Sequence, residues 1–175
     1  FIRSVNATNP DDNAWAKLER NEIDGTAFDS LFRAEAIALG QDVRGGDVLP
    51  LLSGDIRPRM VVALDTVKQA GFRIGCITNN AQVGHGAGMA ESADASRAAT
   101  LILQRFDHVI ESSKAGVRKP DPRIYLMMCE ALGIAPEACI YLDDLGINCK
   151  PAAALGMKAI KVTTQEQALE ELRNN

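Results

Sequence analysis

Aromatic side chains make up only 5% of the 175 residues, and the chain carries two histidines and four cysteines. With no Cys-x-x-Cys spacing among Cys76, Cys129, Cys139 and Cys149 and no clustered histidines, a zinc site is excluded, and the cysteines read as buried reduced thiols. No apolar run approaches the roughly 20 residues of a bilayer span. Nor does the N-terminal stretch combine basic charge, an apolar run and a small-residue cleavage site, so a soluble, cytoplasmic protein with no membrane partner is expected. Positive charge is not in excess either. Nineteen basic against 23 acidic residues leave a net charge of -4, and without a basic stripe no nucleic-acid partner is expected.

What is present is a composition 46% hydrophobic and 24% charged, with 14 glycines, which suits one globular domain with a small appendage. A chain of this length buries roughly 70% of its unfolded surface. The first fifty residues offer helices and no strand. Ala14 to Arg20 and Thr26 to Leu39 have amphipathic spacing, the second with Phe28, Leu31, Phe32 and Glu35 on one face, a cap from Thr26 and Asp29, and a stop at Gly40. Val48 to Leu52 is a third short apolar piece.

From Arg57 onward helix and strand alternate. Pro58 opens a helix with Val61, Leu64 and Val67 on its apolar face, ended by Gly71. Strands are predicted over Phe72 to Ile77, His108 to Ile110, Cys139 to Leu142 and Lys158 to Val162. Helices are predicted over Ala98 to Phe106, Arg123 to Leu132 with Asp121 and Pro122 as its start, Ile147 to Leu155, and Gln165 to Arg173. Gly84 to Ala99, rich in Gly, Ala and Ser, reads as a mobile loop. Such alternation implies an α/β fold, a Rossmann-like parallel sheet with helices on both faces.

In an open parallel sheet, ligands bind beyond the carboxyl ends of the strands. Thr78 and Asn79 follow the first strand, Lys119 lies in the loop after the second, and Asp143 and Asp144 follow the third. Two adjacent acids leaving a buried strand repel each other and need a cation or a shared proton. Magnesium suits them, since it takes one or two carboxylates and fills its remaining positions with water and phosphate oxygens. Thr78 and Asn79 offer hydrogen bonds to a phosphoryl group, and Lys119 offers charge neutralisation. Each residue alone also has an ordinary structural reading: a turn or helix cap for Thr78 and Asn79, a solvated lysine, a capping acidic pair.

The segments IGCITNN, GVRKPDPRIY and YLDDLGINCKPAAALGMKAIKV together resemble the second, third and fourth motifs of the haloacid dehalogenase superfamily, in order from Arg57 onward. The resemblance is greatest to the subgroup with the N-terminal phosphatase domain of soluble epoxide hydrolase. It implies a partial helical cap over residues 1–56, a Rossmann-like core over 57–175, magnesium, and hydrolysis of a small phosphorylated molecule through an aspartyl-phosphate. Thr78 and Asn79 would hold the phosphoryl group and Lys119 would stabilise its charge. Asp144 would bind magnesium directly, Asp143 would assist through water or hydrogen bonds, and Asn148 would buttress the loop.

One element of the pattern is missing. The family's first motif is an apolar strand ending in Asp-x-Asp, which supplies the nucleophile, and nothing here matches it. Asp24-Gly25-Thr26 follows the charged helical stretch Leu18 to Glu22 and falls where a helix-to-helix turn is expected. The nucleophile is therefore expected upstream of Phe1. In this fold the missing strand is central, so its neighbours would be left with unpaired backbone groups and an apolar slot, and the 175 residues alone are expected to be inactive. A metal-independent dehalogenase and a non-catalytic binding module are the alternatives. Substrate identity and oligomeric state, a homo-oligomer included, stay open.

Overall fold

The computed structural model describes residues 1–52, 54–82 and 92–175. The chain divides into two compact units. One contains Phe1–Asp55, Asn79–Thr100 and Glu111–Arg118, and the other contains Ile56–Thr78, Leu101–Ile110 and Lys119–Asn175.

The first unit is helical: α1 (Ile2–Ala7), α2 (Ala14–Glu19), α3 (Gly25–Ala38), α4 (Gly45–Val48), a 3-10 turn (Leu49–Leu52), most of α6 (Ala93–Leu103) and α7 (Ser112–Ala115). Its core gathers Val5, Leu18, Phe28, Phe32, Ala36 and Val48, with Trp15 packed edge-on to Phe28 at 5.3 Å. On α3 the buried face is Phe28, Phe32 and Ala36, the 4-residue spacing of one helical stripe, while Leu31 faces solvent. The α3 cap is neither Thr26 nor Asp29. Asp24 takes that role, its carboxylate accepting the Ala27 N–H at 2.8 Å, because an extended residue just before the first turn is where a short acid meets the unpaired N–H groups. Asp29 instead accepts from the Gly46 N–H at 2.7 Å and from Arg44.

The second unit holds α5 (Pro58–Gln69), β1 (Gly75–Thr78), nearly all of β2 (His108–Glu111), α8 (Pro122–Leu132), β3 (Ile140–Asp143), α9 (Gly146–Ala154), β4 (Lys158–Lys161) and α10 (Gln165–Arg173). This is a mixed α/β arrangement. Helix α8 begins as the sequence predicts, with Asp121 capping the Arg123 N–H and Pro122 in the first turn, and it stops at Gly133 with φ +63°. Its face of Ile124, Tyr125, Met128 and Leu132 is buried.

Strand β1 starts later than predicted. Phe72 is exposed, and Ile74 is fixed to Asp107 by two bonds: its N–H donates to the Asp107 carboxylate and its carbonyl accepts the Asp107 N–H, both at 2.8 Å. Lys68 beside Asp107 holds that carboxyl below its ordinary pKa, helped by the Ile74 N–H. Gly75 then lies so close to α8 that a Cβ there would collide with the Met128 sulfur.

Strands β3 and β4 run parallel, with Asp143 opposite Lys161. Among the described residues the four strands form two two-stranded sheets, β1 with β2 and β3 with β4, with no ladder between the pairs, the gap that the sequence reading expects of a parallel α/β sheet lacking its central strand. Helix α5 shows the same incompleteness: Val61, Leu64 and Val67 are half-buried and none of its residues is fully buried. The predicted loop is helical from Ala93, an amphipathic α6 replacing its last residues, and the rest of that prediction, over 84–91, falls outside the described residues. No helix among the described residues is long and apolar enough to cross a membrane.

Asp24→Ala is expected to destabilise the protein by about 1 kcal/mol through loss of the α3 cap, whereas Phe28→Ala costs about 3–5 kcal/mol. Urea denaturation of the two variants checks the ratio.

Candidate active site

The acid Asp143 ends an apolar strand, and the alternation of side chains along a strand puts Tyr141 on the same face. The Tyr141 hydroxyl donates to Asp143 Oδ2 at 2.6 Å, and Lys119 Nζ donates to the same oxygen at 2.9 Å. On Oδ1 the carboxylate accepts the Leu145 N–H at 2.9 Å, a local turn at the strand exit, and Asn148 Nδ2 at 3.0 Å. Four donors thus occupy the two oxygens of a residue only 8% exposed. Burial pushes the Asp143 carboxyl up, but the Lys119 charge and the bonds from Tyr141, Lys119 and Leu145 outweigh it, and the pKa lies below the usual aspartate value.

The supporting layer is aromatic. Tyr125 and Tyr141 meet edge to face at 5.1 Å, and the Tyr125 hydroxyl donates to the Asn148 carbonyl at 2.8 Å. Burial pushes the Tyr125 hydroxyl up to about 12, and burial together with the Asp143 charge raises Tyr141 as well, so both act as neutral donors. The residue before Pro120, Lys119, joins it through a cis peptide bond.

Asp144 has the opposite surroundings. It is exposed at the head of the turn into α9 and makes no hydrogen bond or ion pair with the described residues. The acidic doublet is therefore split: one carboxylate saturated by protein donors, its neighbour left to solvent. Thr78, half-buried, ends β1. The second unit thus joins Lys119, Asp143 and Asn148 directly and carries Thr78 and Asp144 at strand exits.

Asn79 belongs to the first unit. Its Nδ2 donates to Glu19 Oε2 at 3.2 Å, and Arg118 Nε donates to the same oxygen at 2.6 Å. Asn80 follows with a second set of bonds, its N–H to Ser112 Oγ at 3.0 Å and its Nδ2 to Glu111 Oε1 at 3.0 Å. The sequence reading passes over Tyr141, Tyr125, Glu19, Arg118 and Ser112. The i, i+2 relation of Tyr141 to Asp143 is a signal that strand alternation supplies. Glu19 gives none, since it stands in a run of charges that looks solvated.

Residues 10–156 match the family described as haloacid dehalogenase-like hydrolases. The chain belongs to that family. Bifunctional epoxide hydrolase 2 of Sus scrofa is 37% identical over 116 residues, 65% of this chain and 20% of that protein. Phosphatase MT3486 of Mycobacterium tuberculosis is 29% identical over 161 residues, 91% of this chain and 64% of that protein. Acyl-CoA dehydrogenase family member 10 of Mus musculus is 36% identical over 115 residues, of which this chain spans 10% of the length. The fold agrees: a HAD family enzyme from Bacteroides thetaiotaomicron, solved as a magnesium complex, superposes with a TM-score of 0.65 over 98% of this chain and 86% of its own, at 18% identity.

For a haloacid dehalogenase-like chain, the saturated and the open carboxylate predict different costs. Asp143→Asn leaves Lys119 buried without its counter-charge and is expected to destabilise by about 3 kcal/mol or more. Asp144→Asn is expected to stay within about 0.5 kcal/mol. Because the folded pKa of Asp143 is depressed, its contribution is fully present above the unfolded value of about 4 and is lost as pH falls through the folded one. Denaturation midpoints between pH 7 and pH 2 check this, the acid limb being shallower in Asp143→Asn.

Proposed function

We propose that the chain is part of a magnesium-dependent phosphatase that hydrolyses a small phosphate monoester through an aspartyl-phosphate. The observation that carries the reading is the division of labour in the acidic doublet: Asp143 is committed to Lys119, Tyr141, Leu145 and Asn148, and Asp144, exposed at the strand exit, makes no hydrogen bond or ion pair with the described residues. A single free carboxylate fits magnesium, which prefers oxygen ligands and keeps most of its positions for water and substrate oxygens. Asp144 is the ligand from this chain. Among the described residues no group of three or more acidic, His or Cys side chains forms a closed metal cage, in keeping with a metal held jointly with substrate. When bound, magnesium would neutralise phosphate charge as a Lewis acid.

The protein's own residues then divide the remaining work. Lys119, fixed by Asp143 at 2.9 Å, presents its ammonium to the nucleophile and to the phosphoryl oxygens, where charge must be offset during transfer. Thr78 and Asn79, at the exit of β1, bind the phosphoryl group by hydrogen bonds. Asn148 holds Asp143 from the first turn of α9. The nucleophilic aspartate is not among these residues: Asp24, the one acid that resembles it, is occupied as the α3 cap. Its place is on an apolar strand ending in Asp-x-Asp, outside the 175 residues. Residues 1–56 form a partial cap that selects the substrate. The phosphatases among the relatives, Phosphatase MT3486 and the glyceraldehyde 3-phosphate phosphatase of Methanopyrus kandleri, support a small phosphorylated substrate.

Phosphate release from a panel of phosphate monoesters tests this, with the chain assayed alone and with a synthetic peptide carrying an apolar strand that ends in Asp-x-Asp. Turnover is expected only with the peptide and with magnesium, and Asp144→Ala is expected to weaken magnesium binding by calorimetry at least about tenfold. Turnover that survives chelation would favour the metal-independent dehalogenase reading. Magnesium binding unchanged in Asp144→Ala would overturn the assignment of the ligand.

A further inference from the structure

We infer that Glu19 is the positioning residue for the Asn79 amide, and through it for the anion that Asn79 receives. The inference rests on the phosphoryl-binding reading of Asn79. Glu19 is the last residue of α2 and is 9% exposed, an unusual place for a carboxylate. Its Oε2 accepts Arg118 Nε at 2.6 Å and Asn79 Nδ2 at 3.2 Å, while its Oε1 accepts the indole N–H of Trp15 at 3.0 Å. Its main chain is used in the same direction. The Glu19 carbonyl accepts the Ser112 hydroxyl at 2.6 Å, and the Ser112 oxygen accepts the N–H of Asn80 at 3.0 Å. One residue therefore holds both positions after β1, residue 79 by its side chain and residue 80 through Ser112.

Stability alone does not call for this design, since a buried ion pair is often matched or exceeded by apolar side chains of similar volume. Orientation does. A side-chain amide presents a donor at one end and an acceptor at the other, and only the donor end suits an anion. With Nδ2 anchored on the Glu19 carboxylate, the amide keeps its donor end on that side and cannot turn its oxygen there. A bare carboxylate so close would repel an incoming phosphate. Arg118, bonded to Glu19 and to the Pro10 carbonyl at 3.1 Å, cancels that charge and is itself held in place. Arg118 also immediately precedes Lys119 in the chain.

The protein supplies its own reporter, because its only tryptophan is bonded to the same carboxylate. In the ¹⁵N-labelled 175-residue chain, the Asn79 side-chain amide is identified by its absence from the Asn79→Asp spectrum, and inorganic phosphate is titrated in with magnesium present. Phosphate is expected to move the Asn79 amide and the Trp15 indole signals with one midpoint. Glu19→Gln is expected to raise that midpoint by about tenfold or more, the cost of losing a charged hydrogen-bond acceptor. Trp15→Phe, which removes the partner of Oε1 and leaves those of Oε2, is expected to leave the Asn79 midpoint unchanged. A merely structural role for Glu19 predicts no such contrast, because Trp15 packs against Phe28 and Phe32 in the core of the same unit. Should Glu19→Gln not fold, Arg118→Lys carries the comparison, keeping the charge while losing the Nε donor, with weakened binding expected. Equal midpoints in the unaltered chain and in Glu19→Gln, or in Arg118→Lys where that variant stands in, overturn the inference. A phosphate response at Thr78 and Lys119 with none at Asn79 overturns it while leaving the phosphoryl reading standing, and no response at any of the three overturns both.

Discussion

The carboxylate of Asp143, surrounded by Lys119, Tyr141, Asn148 and the Leu145 N–H, is the constraint on which the candidate site depends. Taking a carboxylate and an ammonium out of water costs several kcal/mol each, and their attraction repays it only where the remaining lone pairs are also satisfied. Here they are, and each donor comes from a different place: the strand itself, its exit turn, the first turn of α9 and the loop before α8. One side chain thereby fixes the mutual placement of four segments. The same commitment decides what the next residue can do. Since the lone pairs of Asp143 are taken by its four donors, the solvent-facing carboxylate of the doublet is that of Asp144.

A parallel arrangement stands in the helical unit. Glu19 there is the buried acid and Arg118 its base, with Trp15 and Asn79 completing the set of donors. The two bases are consecutive in sequence, and the division between the units falls between them. Each unit is thus organised around one buried carboxylate, and the dipeptide Arg118-Lys119 supplies the counter-charge to both. The choice of base also follows from chemistry. Glu19 is approached by the planar guanidinium, which can bond the carboxylate and the Pro10 carbonyl together, whereas Asp143 receives a compact ammonium on a single carboxylate oxygen.

Much of this was legible from residue types and spacing, and the rest was hidden for identifiable reasons. The limits of α8 follow from Asp121, Pro122 and Gly133, because capping and chain reversal are local chemistry. Helix α10 spans Gln165–Arg173 as read, with Thr164 as its cap. The start of β1 was misplaced because Phe72, although apolar, precedes the point where Asp107 fixes Ile74, a contact 33 residues away that no local pattern encodes. That Lys119 and Asp143 lie near each other follows from the order of strand exits, whereas their direct ion pair and the saturation of Asp143 by Tyr141 depend on packing that composition does not reveal. Glu19 was invisible for the same reason: its neighbours Arg20 and Glu22 pair at the surface, and nothing in the run Leu18 to Glu22 marks one acid as buried.

The sheet topology bears on how firmly these groups are held. Two-stranded sheets are marginal on their own in water and persist when a packed helix covers them. Gly75 in contact range of Met128 and the packing of α9 against β3 and β4 supply that cover. Each strand nevertheless has a strand neighbour on one side only among the described residues, so its other backbone edge lacks the ladder that would tie it down. Residues at the strand exits would then inherit that looseness unless side-chain bonds replace the missing ladder. Asp143 has four such bonds, and the backbone after β1 is held at Asn80 by Ser112. The polar anchors therefore stand where the sheet is least complete, and they fix the strand exits of the candidate site in a core whose strands are only partly paired.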